Sequence, residues 1–275
     1  MRIAISNIAW DIGEDVSIAE VLNRHAIDAI DVAPGKYFAD PEHATPQEIE
    51  RVRRWWSDRG IEITGMQALL FGTSGLNLFG SATARALMLQ RLAAICSIAE
   101  GLGASRLVFG SPRNRDRTGL ADDEVDDIAV AFFRELGAAA AARNVMICLE
   151  PNPAQYHCNF MTSTPEAARI VRAVDHPAIR LHLDAGAMAI NGESAATMVR
   201  DMASLVGHIH VSEPDLVPIG DGATDHRAVA AALHQYLPSH VASIEMVASK
   251  QEPHLAAVAR AVQTTIQHYR NQALA

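Results

Sequence analysis

Short apolar segments alternate with longer segments of helical pattern along the whole chain, and this alternation constrains the fold more than any other feature. The apolar segments are predicted strands at positions 2–7, 27–32, 61–70, 106–109, 145–150, 179–184, 208–210 and 242–245. The helical patterns lie at about 16–25, 45–60, 82–102, 122–143, from 163, 193–203, 225–236 and 253–269. Buried strands that alternate with helices form parallel sheets. Eight such units in 275 residues predict an α/β fold with one closed (β/α)8 TIM barrel, a single domain over residues 1–275.

An open, doubly wound sheet is the alternative architecture for the same alternation. It would need a phosphate-binding glycine turn after an early strand. The nearest match, Gly101-Leu102-Gly103, lies between a helix and a strand, and the sequence has no Walker-type loop. The closed barrel is therefore the preferred prediction.

Composition and charge limit the partners of such a domain. The formal net charge of -9 argues against a nucleic-acid partner. Three scattered cysteines are too few for a disulfide framework or a thiol metal site. We find neither a basic and apolar leader nor an apolar run long enough to cross a bilayer. These observations predict a cytoplasmic protein without a membrane partner, and a homodimer or homotetramer is compatible with them.

Four of the predicted strands close on a side chain that can bind a metal ion. Glu150, Asp184, His210 and Glu245 end the fifth to eighth strands. In barrel enzymes the active site is built at the carboxyl ends of the strands. Three carboxylates and one imidazole form a hard site that suits Mn²⁺, Mg²⁺ or Co²⁺. The alternative is that each residue merely ends its strand or caps the next helix.

The same side chains suggest a chemistry. Glu150 and Glu245, the catalytic candidates, would reach one centre from opposite sides of the barrel mouth. A substrate with adjacent carbonyl and hydroxyl groups would chelate a metal ion there, and the ion would stabilise an enediolate. One glutamate would remove a proton from carbon and the other would return it. This arrangement suits isomerisation or epimerisation of a small carbohydrate or keto-acid.

Several motifs resemble the xylose-isomerase-like barrel superfamily. They are Leu149-Glu150-Pro151-Asn152-Pro153, Leu183-Asp184-Ala185-Gly186, Ile209-His210-Val211-Ser212-Glu213, Pro218-Ile219-Gly220-Asp221-Gly222 and Ser243-Ile244-Glu245. The chain is most similar to the sugar phosphate isomerase/epimerase group, with its ketose 3-epimerases, hydroxypyruvate isomerase and inosose dehydratase. The resemblance implies one divalent ion, Mn²⁺ first and Mg²⁺, Co²⁺ or Zn²⁺ as alternatives. It also implies that Glu150, Asp184, His210 and Glu245 hold the ion and that the two glutamates are the acid and base.

Two departures from the ketose epimerases leave other functions open. Those enzymes carry a substrate-contacting His three residues after the Asp ligand and an Arg six residues after the His ligand. Here the positions hold Ala187 and Leu216, so a free ketohexose is not the expected substrate. A metal-dependent dehydratase or lyase acting on a keto-sugar or inosose is the alternative. An endonuclease-like phosphodiesterase and a non-catalytic binding protein are further candidates.

Residues near the predicted ligands are candidates for contact with the substrate. Asn152, Tyr156 and Glu213 lie close to ligands in sequence and are predicted to bind substrate or support the ligands. His182 and His208 lie two residues before a ligand, so strand alternation places them on the same inner face, one layer lower. There they would orient the ligands or simply fill the core.

Two loops also follow predicted strands. Arg113, Arg115 and Arg117 follow the fourth strand and are predicted to hold a phosphate or carboxylate by bidentate hydrogen bonds. The alternative is a solvated loop. Phe71 precedes a segment rich in Gly, Ser and Asn, residues 72–80, which is predicted to cap the barrel mouth. The aromatic side chain would either line a sugar site or pack.

Overall fold

In the computed structural model, which describes residues 1–270, eight parallel strands close into a barrel in sequence order. Every strand pairs with its neighbours along the chain, and β1 pairs with β8 to complete the ring, with Arg2 opposite Val241. This confirms the predicted (β/α)8 barrel. The strands are β1 Arg2–Ser6, β2 Ala29–Val32, β3 Glu62–Met66, β4 Arg106–Phe109, β5 Met146–Leu149, β6 Ile179–Asp184, β7 Val206–Ser212 and β8 Val241–Glu245.

Helices lie between the strands, as the sequence pattern predicts. They are α1 Asp15–Arg24, α2 Pro34–Tyr37, α3 Pro46–Ser57, α4 Ala82–Leu102, α5 Asp122–Ala141, α6 Thr164–Val174, α7 Ala185–Ile190, α8 Ala195–Met202, α9 His226–Tyr236 and α10 His254–Thr265. A π-helical turn, Ile266–Arg270, follows α10.

Local sequence signals explain where helices begin and end. Thr45 caps α3 by accepting the N–H of Glu48, whose carboxylate returns to the Thr45 N–H, so two free donors are satisfied. Helix α4 ends at Gly103, whose φ of 83° is the left-handed conformation that glycine adopts without steric cost.

Four elements differ from the prediction: the third strand is shorter, β7 extends beyond 208–210 to Ser212, and the short helices α2 and α7 are additional. The third strand ends at Met66 instead of continuing to residue 70, because Ala68 takes a left-handed φ of 54° that a strand cannot contain. Its last predicted residues belong to a loop at the barrel mouth. Helix α7 is an addition to the expected pattern: it begins directly after Asp184, which serves both as the end of β6 and as the N-cap of the helix.

Helix α4 corrects the expectation that no segment is apolar enough to cross a membrane. By length and composition alone its 21 residues, with a mean hydropathy of 1.2, pass that test. Its position explains the composition, because Met88, Leu92, Ile95 and Ile98 are buried in the core that joins the helices to the barrel. The apolar face of α4 therefore packs within the domain.

Candidate metal centre and its pocket

The four predicted ligands meet at the carboxyl ends of neighbouring strands. Glu150 follows β5, Asp184 ends β6, His210 lies in β7 and Glu245 ends β8. The register of the barrel places Asp184 beside His210. His210 Nδ1 lies 3.1 Å from Glu245 Oε2 and 3.6 Å from Glu150 Oε1. Three acids and one imidazole therefore converge at the barrel mouth.

His182 joins this group from one layer below. Its Nε2 lies 3.5 Å from Glu150 Oε1, and ligand atoms of Glu150, His182, Asp184 and His210 all lie within 4.8 Å of one another. Within residues 1–270, both ring nitrogens of His182 and of His210 are buried without a hydrogen-bond partner. Buried polar atoms are normally satisfied. A coordinated cation fits a site with these free nitrogen donors.

The charges of the site also favour a cation. Burial raises the pKa of Asp184, and the negative charges of Glu245 and Glu150 raise it further, to about 7. Burial by itself would lower the pKa of His210, but the same two glutamates raise it well above its ordinary value. Burial of Asp184 and the charges of the two glutamates both favour added positive charge at the site, and a divalent cation would supply that charge.

Asp184 is fixed through both of its carboxylate oxygens. Oδ1 accepts the N–H of Ala187 at 2.6 Å, and Oδ2 accepts the hydroxyl of Ser212 at 2.6 Å. Gly186 lets α7 begin this close to β7, because a Cβ there would meet the Glu213 backbone at 2.8 Å. The position of this carboxylate is therefore set by the strand-to-helix turn that the Leu183-Asp184-Ala185-Gly186 segment forms.

Two carboxamides hold the two glutamates. Asn152 Nδ2 donates to Glu150 Oε2 at 3.1 Å and to the carbonyl of Gly110 at 2.8 Å. Gln67 Nε2 donates to Glu245 Oε1 at 2.9 Å. The sequence pattern does not single out Gln67, because it lies within the predicted third strand, residues 61–70. Its signal is the one used for the ligands: a polar side chain directly after an apolar strand.

Gly110, at the end of β4, leaves the space that Glu150 occupies. A Cβ built on this glycine would overlap Glu150 Oε2. Any other residue at position 110 would fill this space, since every amino acid except glycine carries a Cβ. The orientation of Glu150 thus depends on the neighbouring strand as well as on its own.

Asp31 in β2 lies beneath the site and was not among the predicted residues. Its Oδ2 accepts a hydrogen bond from His208 Nε2 at 2.7 Å and lies 3.9 Å from His210 Nε2. Burial would raise the pKa of Asp31, but His208 outweighs this effect and the pKa is lowered to about 2. The carboxylate is therefore ionised inside the barrel, below His210. An acid in the middle of an apolar strand is the sequence signal that marks it.

Glu213 does not face the pocket, although substrate contact was predicted for it. Only 1% of the residue is exposed. Its Oε1 accepts the N–H of Gly220 and a hydrogen bond from His226, and its Oε2 accepts the N–H of Thr224. These groups use both oxygens, so the carboxylate ties the glycine-rich loop to α9 and does not meet a ligand.

The arginine loop does not form the predicted anion site. Arg115 is fully buried and donates to the carbonyl oxygens of Glu150 and Gly110. Arg117 pairs with Asp122. Arg113 is exposed and lies outside the pocket lining. The three side chains diverge because each is drawn to a different partner or to solvent, and Arg115 instead fixes the backbone that carries Glu150.

A cavity of about 550 Å³ opens above the four ligands. Asn152 and Tyr156 line it, and so do Ala187 and Leu216. The Tyr156 hydroxyl accepts the N–H of Asp215 at 2.7 Å and so joins the loops after β5 and β7. Phe71 also lines the cavity, with 82% of its surface exposed. The loop after β3 therefore forms part of the mouth.

Comparisons with known proteins agree with this architecture. Residues 19–271 match the family model described as xylose isomerase-like TIM barrel. A D-psicose 3-epimerase from Clostridium cellulolyticum H10 superimposes with a TM-score of 0.80 and 18% identity over 98% of both chains. The IolI protein with a bound zinc atom gives 0.78 and 17% over 100% of both chains. The 3-keto-D-glucoside 4-epimerase YcjR from E. coli gives 0.75 and 17% over 96% of this chain and 99% of that chain.

No curated protein sequence matches the chain significantly. The solved structures share its fold at low identity, and the family model spans most of its length. The chain belongs to the xylose isomerase-like TIM barrel family.

Proposed function

We propose that the chain is a divalent-metal-dependent isomerase or epimerase of a sugar or related polyol, which moves a proton on a carbon next to a carbonyl group. The observation that carries this proposal is the pair Glu150 and Glu245, which flank His210 Nδ1 at 3.6 and 3.1 Å. The pair reaches the site from β5 and β8, with β6 and β7 between them. The similar structures of a D-psicose 3-epimerase and a 3-keto-D-glucoside 4-epimerase support it.

Glu150, Asp184, His210 and Glu245 are the residues that would hold the ion. When bound, a divalent cation supplies positive charge beside the carbonyl and hydroxyl oxygens of the substrate. Mn²⁺ is the ion we propose first, because carboxylates predominate among the donors. The zinc atom in the similar IolI structure makes Zn²⁺ the next candidate.

The two glutamates carry the proton. One carboxylate accepts it from the carbon next to the carbonyl group, and the other returns it. Return to the opposite face of the same carbon gives an epimer, and return to the adjacent carbon gives an isomer. Asn152 and Gln67 each hold one carboxylate oxygen by a hydrogen bond, so the second oxygen of each glutamate keeps a defined direction.

Incubation in deuterated water tests this function. Manganese-loaded protein is mixed with ketoses and keto-glycosides, and deuterium at each carbon is measured by mass spectrometry and NMR. Label at one carbon with an otherwise unchanged mass indicates isomerase or epimerase chemistry. A product lighter by one water identifies the dehydratase alternative. The absence of both exchange and product with every substrate contradicts the proposed enzymatic function.

The acid/base assignment has its own test. Glu150→Gln and Glu245→Gln each preserve shape but remove the proton acceptor, and each is expected to lower exchange at least 1,000-fold, about the upper part of the range for general acid–base groups. The control is Glu20→Gln, an exposed position on α1, which should retain full exchange. Retained exchange in both site variants would show that the pair is assigned wrongly.

A further inference from the structure

The cavity above the metal centre has two unlike halves. Its acidic side is formed by residues at the carboxyl ends of β5, β6 and β8, namely Glu150, Asp184 and Glu245. The loops after β1, β3 and β4 contribute a mostly apolar wall of Ile8, Leu69, Leu70, Phe71, Phe109 and Pro112. Since the barrel closes in sequence order, β1 to β4 form the half that faces β5 to β8. A ligand that contacts the acids therefore has an apolar surface across from them.

The lining carries no positive charge. Among residues 1–270, none of the side chains that line the cavity is Lys, Arg or His, whereas Glu150, Asp184, Asp215 and Glu245 are acidic. Arg113, next to Pro112 in sequence, is exposed and lies outside the lining, and two other basic groups near the cavity in sequence are used elsewhere. Arg115 donates to backbone carbonyls, and Lys36 donates to the carbonyls of Asn7 and Trp10. A phosphate or carboxylate group on the substrate would have no cationic side chain to pair with, so the cavity favours an uncharged ligand.

The cavity is also larger than a single sugar requires. A hexose has about twelve non-hydrogen atoms, and an upper bound of about 30 Å³ each, the volume of a liquid water molecule, gives less than about 360 Å³. The cavity measures about 550 Å³. The apolar wall forms part of the lining of this larger space. Water is less favourable at an apolar surface than in bulk solvent. An apolar group of the ligand that displaces this water would therefore bind favourably.

Leu216 supports an apolar ligand from the opposite edge. It lines the cavity with a left-handed φ of 53°, next to Asp215 at 59°. Bulky residues rarely adopt this conformation, and strained backbone is concentrated at ligand sites. Ala68, with a φ of 54°, lines the same cavity on the loop that carries Phe71. The two loops that present the apolar side chains are therefore both held in unfavourable backbone conformations.

We propose that the substrate is an uncharged hydroxyketone sugar that carries an apolar substituent, such as an aryl glycoside of a keto-sugar. The sugar lies against the carboxylates, and the substituent lies between the apolar wall with Leu70 and Phe71 on one side and Leu216 on the other. This inference rests on the proposed function and narrows its substrate: a sugar phosphate, whose phosphate group would find no cationic side chain in the lining, is disfavoured.

Matched glycosides test the inference. Phenyl and methyl β-D-glucopyranosides oxidised at C3, together with D-fructose and D-fructose 6-phosphate, are given to manganese-loaded protein in deuterated water. We expect kcat/KM for exchange to be at least tenfold higher for the phenyl than for the methyl glycoside, chiefly through KM, with the phosphate the poorest substrate. Equal values for the two glycosides, or preference for the phosphate, would overturn the inference while leaving the proposed function intact.

Binding of the unoxidised glucosides separates the claim of an apolar substituent site from the claim of proton-transfer chemistry. Phenyl and methyl β-D-glucopyranoside have no acidic C–H, so calorimetry on the same protein reports the apolar wall alone. Tighter binding of the phenyl glucoside without exchange on any ketone would retain the substrate shape and reject the chemistry. Equal binding of both would reject the apolar site.

Variants locate the substituent. Leu216→Asn keeps a residue that tolerates the left-handed conformation, and Phe71→Ala removes the exposed ring. Each is expected to reduce the phenyl-over-methyl ratio of kcat/KM to below threefold. The control is Leu87→Asn, an exposed leucine on α4 outside the cavity lining, which should keep the preference. An undiminished preference in both site variants would contradict the placement.

Discussion

Gln67 and Asn152 lie on loops after different strands, yet each donates a carboxamide N–H to one of the two glutamates. Each hydrogen bond engages one carboxylate oxygen and thereby restricts the rotation of the group. At the residue scale, the direction of the proposed acid and base is therefore set by neutral neighbours. Sequence reasoning identified Asn152 because it follows Glu150 closely, whereas Gln67 is 178 positions from Glu245.

Gln67→Leu removes this donor at similar volume. We expect exchange activity to fall about 10- to 100-fold, the usual effect of losing a group that orients a ligand, with Mn²⁺ affinity lowered in the same direction. The measurements are kcat for deuterium exchange and calorimetric Kd for Mn²⁺. Gln47→Leu, at an exposed position on α3, serves as the control. Unchanged values in Gln67→Leu would mean that the hydrogen bond has no orienting role.

Gly110→Ala tests the space reserved for Glu150. The added Cβ would overlap Glu150 Oε2, so the carboxylate must move. We expect Mn²⁺ affinity to fall at least tenfold, within the range for loss of ligand orientation, with an unchanged circular dichroism spectrum. Gly35→Ala, where no atom lies within 4 Å of the new Cβ, is the matched control. Equal affinities of the two variants would count against this role of Gly110.

At the scale of elements, Glu213 connects β7, the loop with Gly220 and Thr224, and α9 through His226. His226 in turn bonds to the Tyr269 hydroxyl in the π-helical turn. One buried carboxylate thus links a strand end, a loop and two helical segments. The motif pattern associated the glycine-rich segment with the site. The hydrogen bonds of Glu213 instead attach this segment to the end of β7 and to α9.

The linkage predicts a pH-dependent stability. Burial would raise the pKa of Glu213, but the hydrogen bonds from His226, Thr224 and Gly220 lower it from 4.5 to about 2. A carboxyl whose pKa is lowered on folding stabilises the protein above pH 4.5, and this contribution disappears as pH falls toward 2; the full shift corresponds to roughly 3 kcal/mol.

Glu213→Gln should accordingly lower the free energy of unfolding by up to roughly 3 kcal/mol at pH 7 and by much less near pH 3. Urea denaturation at the two pH values measures the difference. The exposed Glu20→Gln should show no such loss at either pH. A constant difference between wild type and Glu213→Gln over this range would disprove the linkage.

At the scale of the whole molecule, barrel closure brings β5 to β8 together at one mouth and lets three separate strands contribute acids to one site. Burial raises the pKa of Asp184 there, and the negative charges of Glu245 and Glu150 raise it further. The native state therefore carries a local cost that a bound cation removes. The unfolded chain has no such site, so the ion should stabilise only the folded barrel.

Metal removal is expected to lower the melting temperature. At a free Mn²⁺ concentration of about 100 times Kd, the ion adds about 2.7 kcal/mol, which corresponds to roughly 5 °C or more for a domain of this size. Calorimetric melting with Mn²⁺ and after chelation measures the shift. Glu245→Gln should show a smaller shift, and an identical melting temperature in all samples would speak against a metal centre.

The sequence by itself determined the order and type of the main elements and the strand ends where Glu150, Asp184 and Glu245 stand, because apolar periodicity and capping are local properties. The end of β7 lies two residues beyond His210, at Ser212. Only the tertiary structure decided where other side chains point. Arg115 donates to the carbonyl of Glu150, and Glu213 accepts backbone N–H groups outside the pocket. Asp31 forms a hydrogen bond with His208, 177 positions away. Such directions depend on which partners packing brings within reach, and a residue's neighbours along the chain do not contain that information.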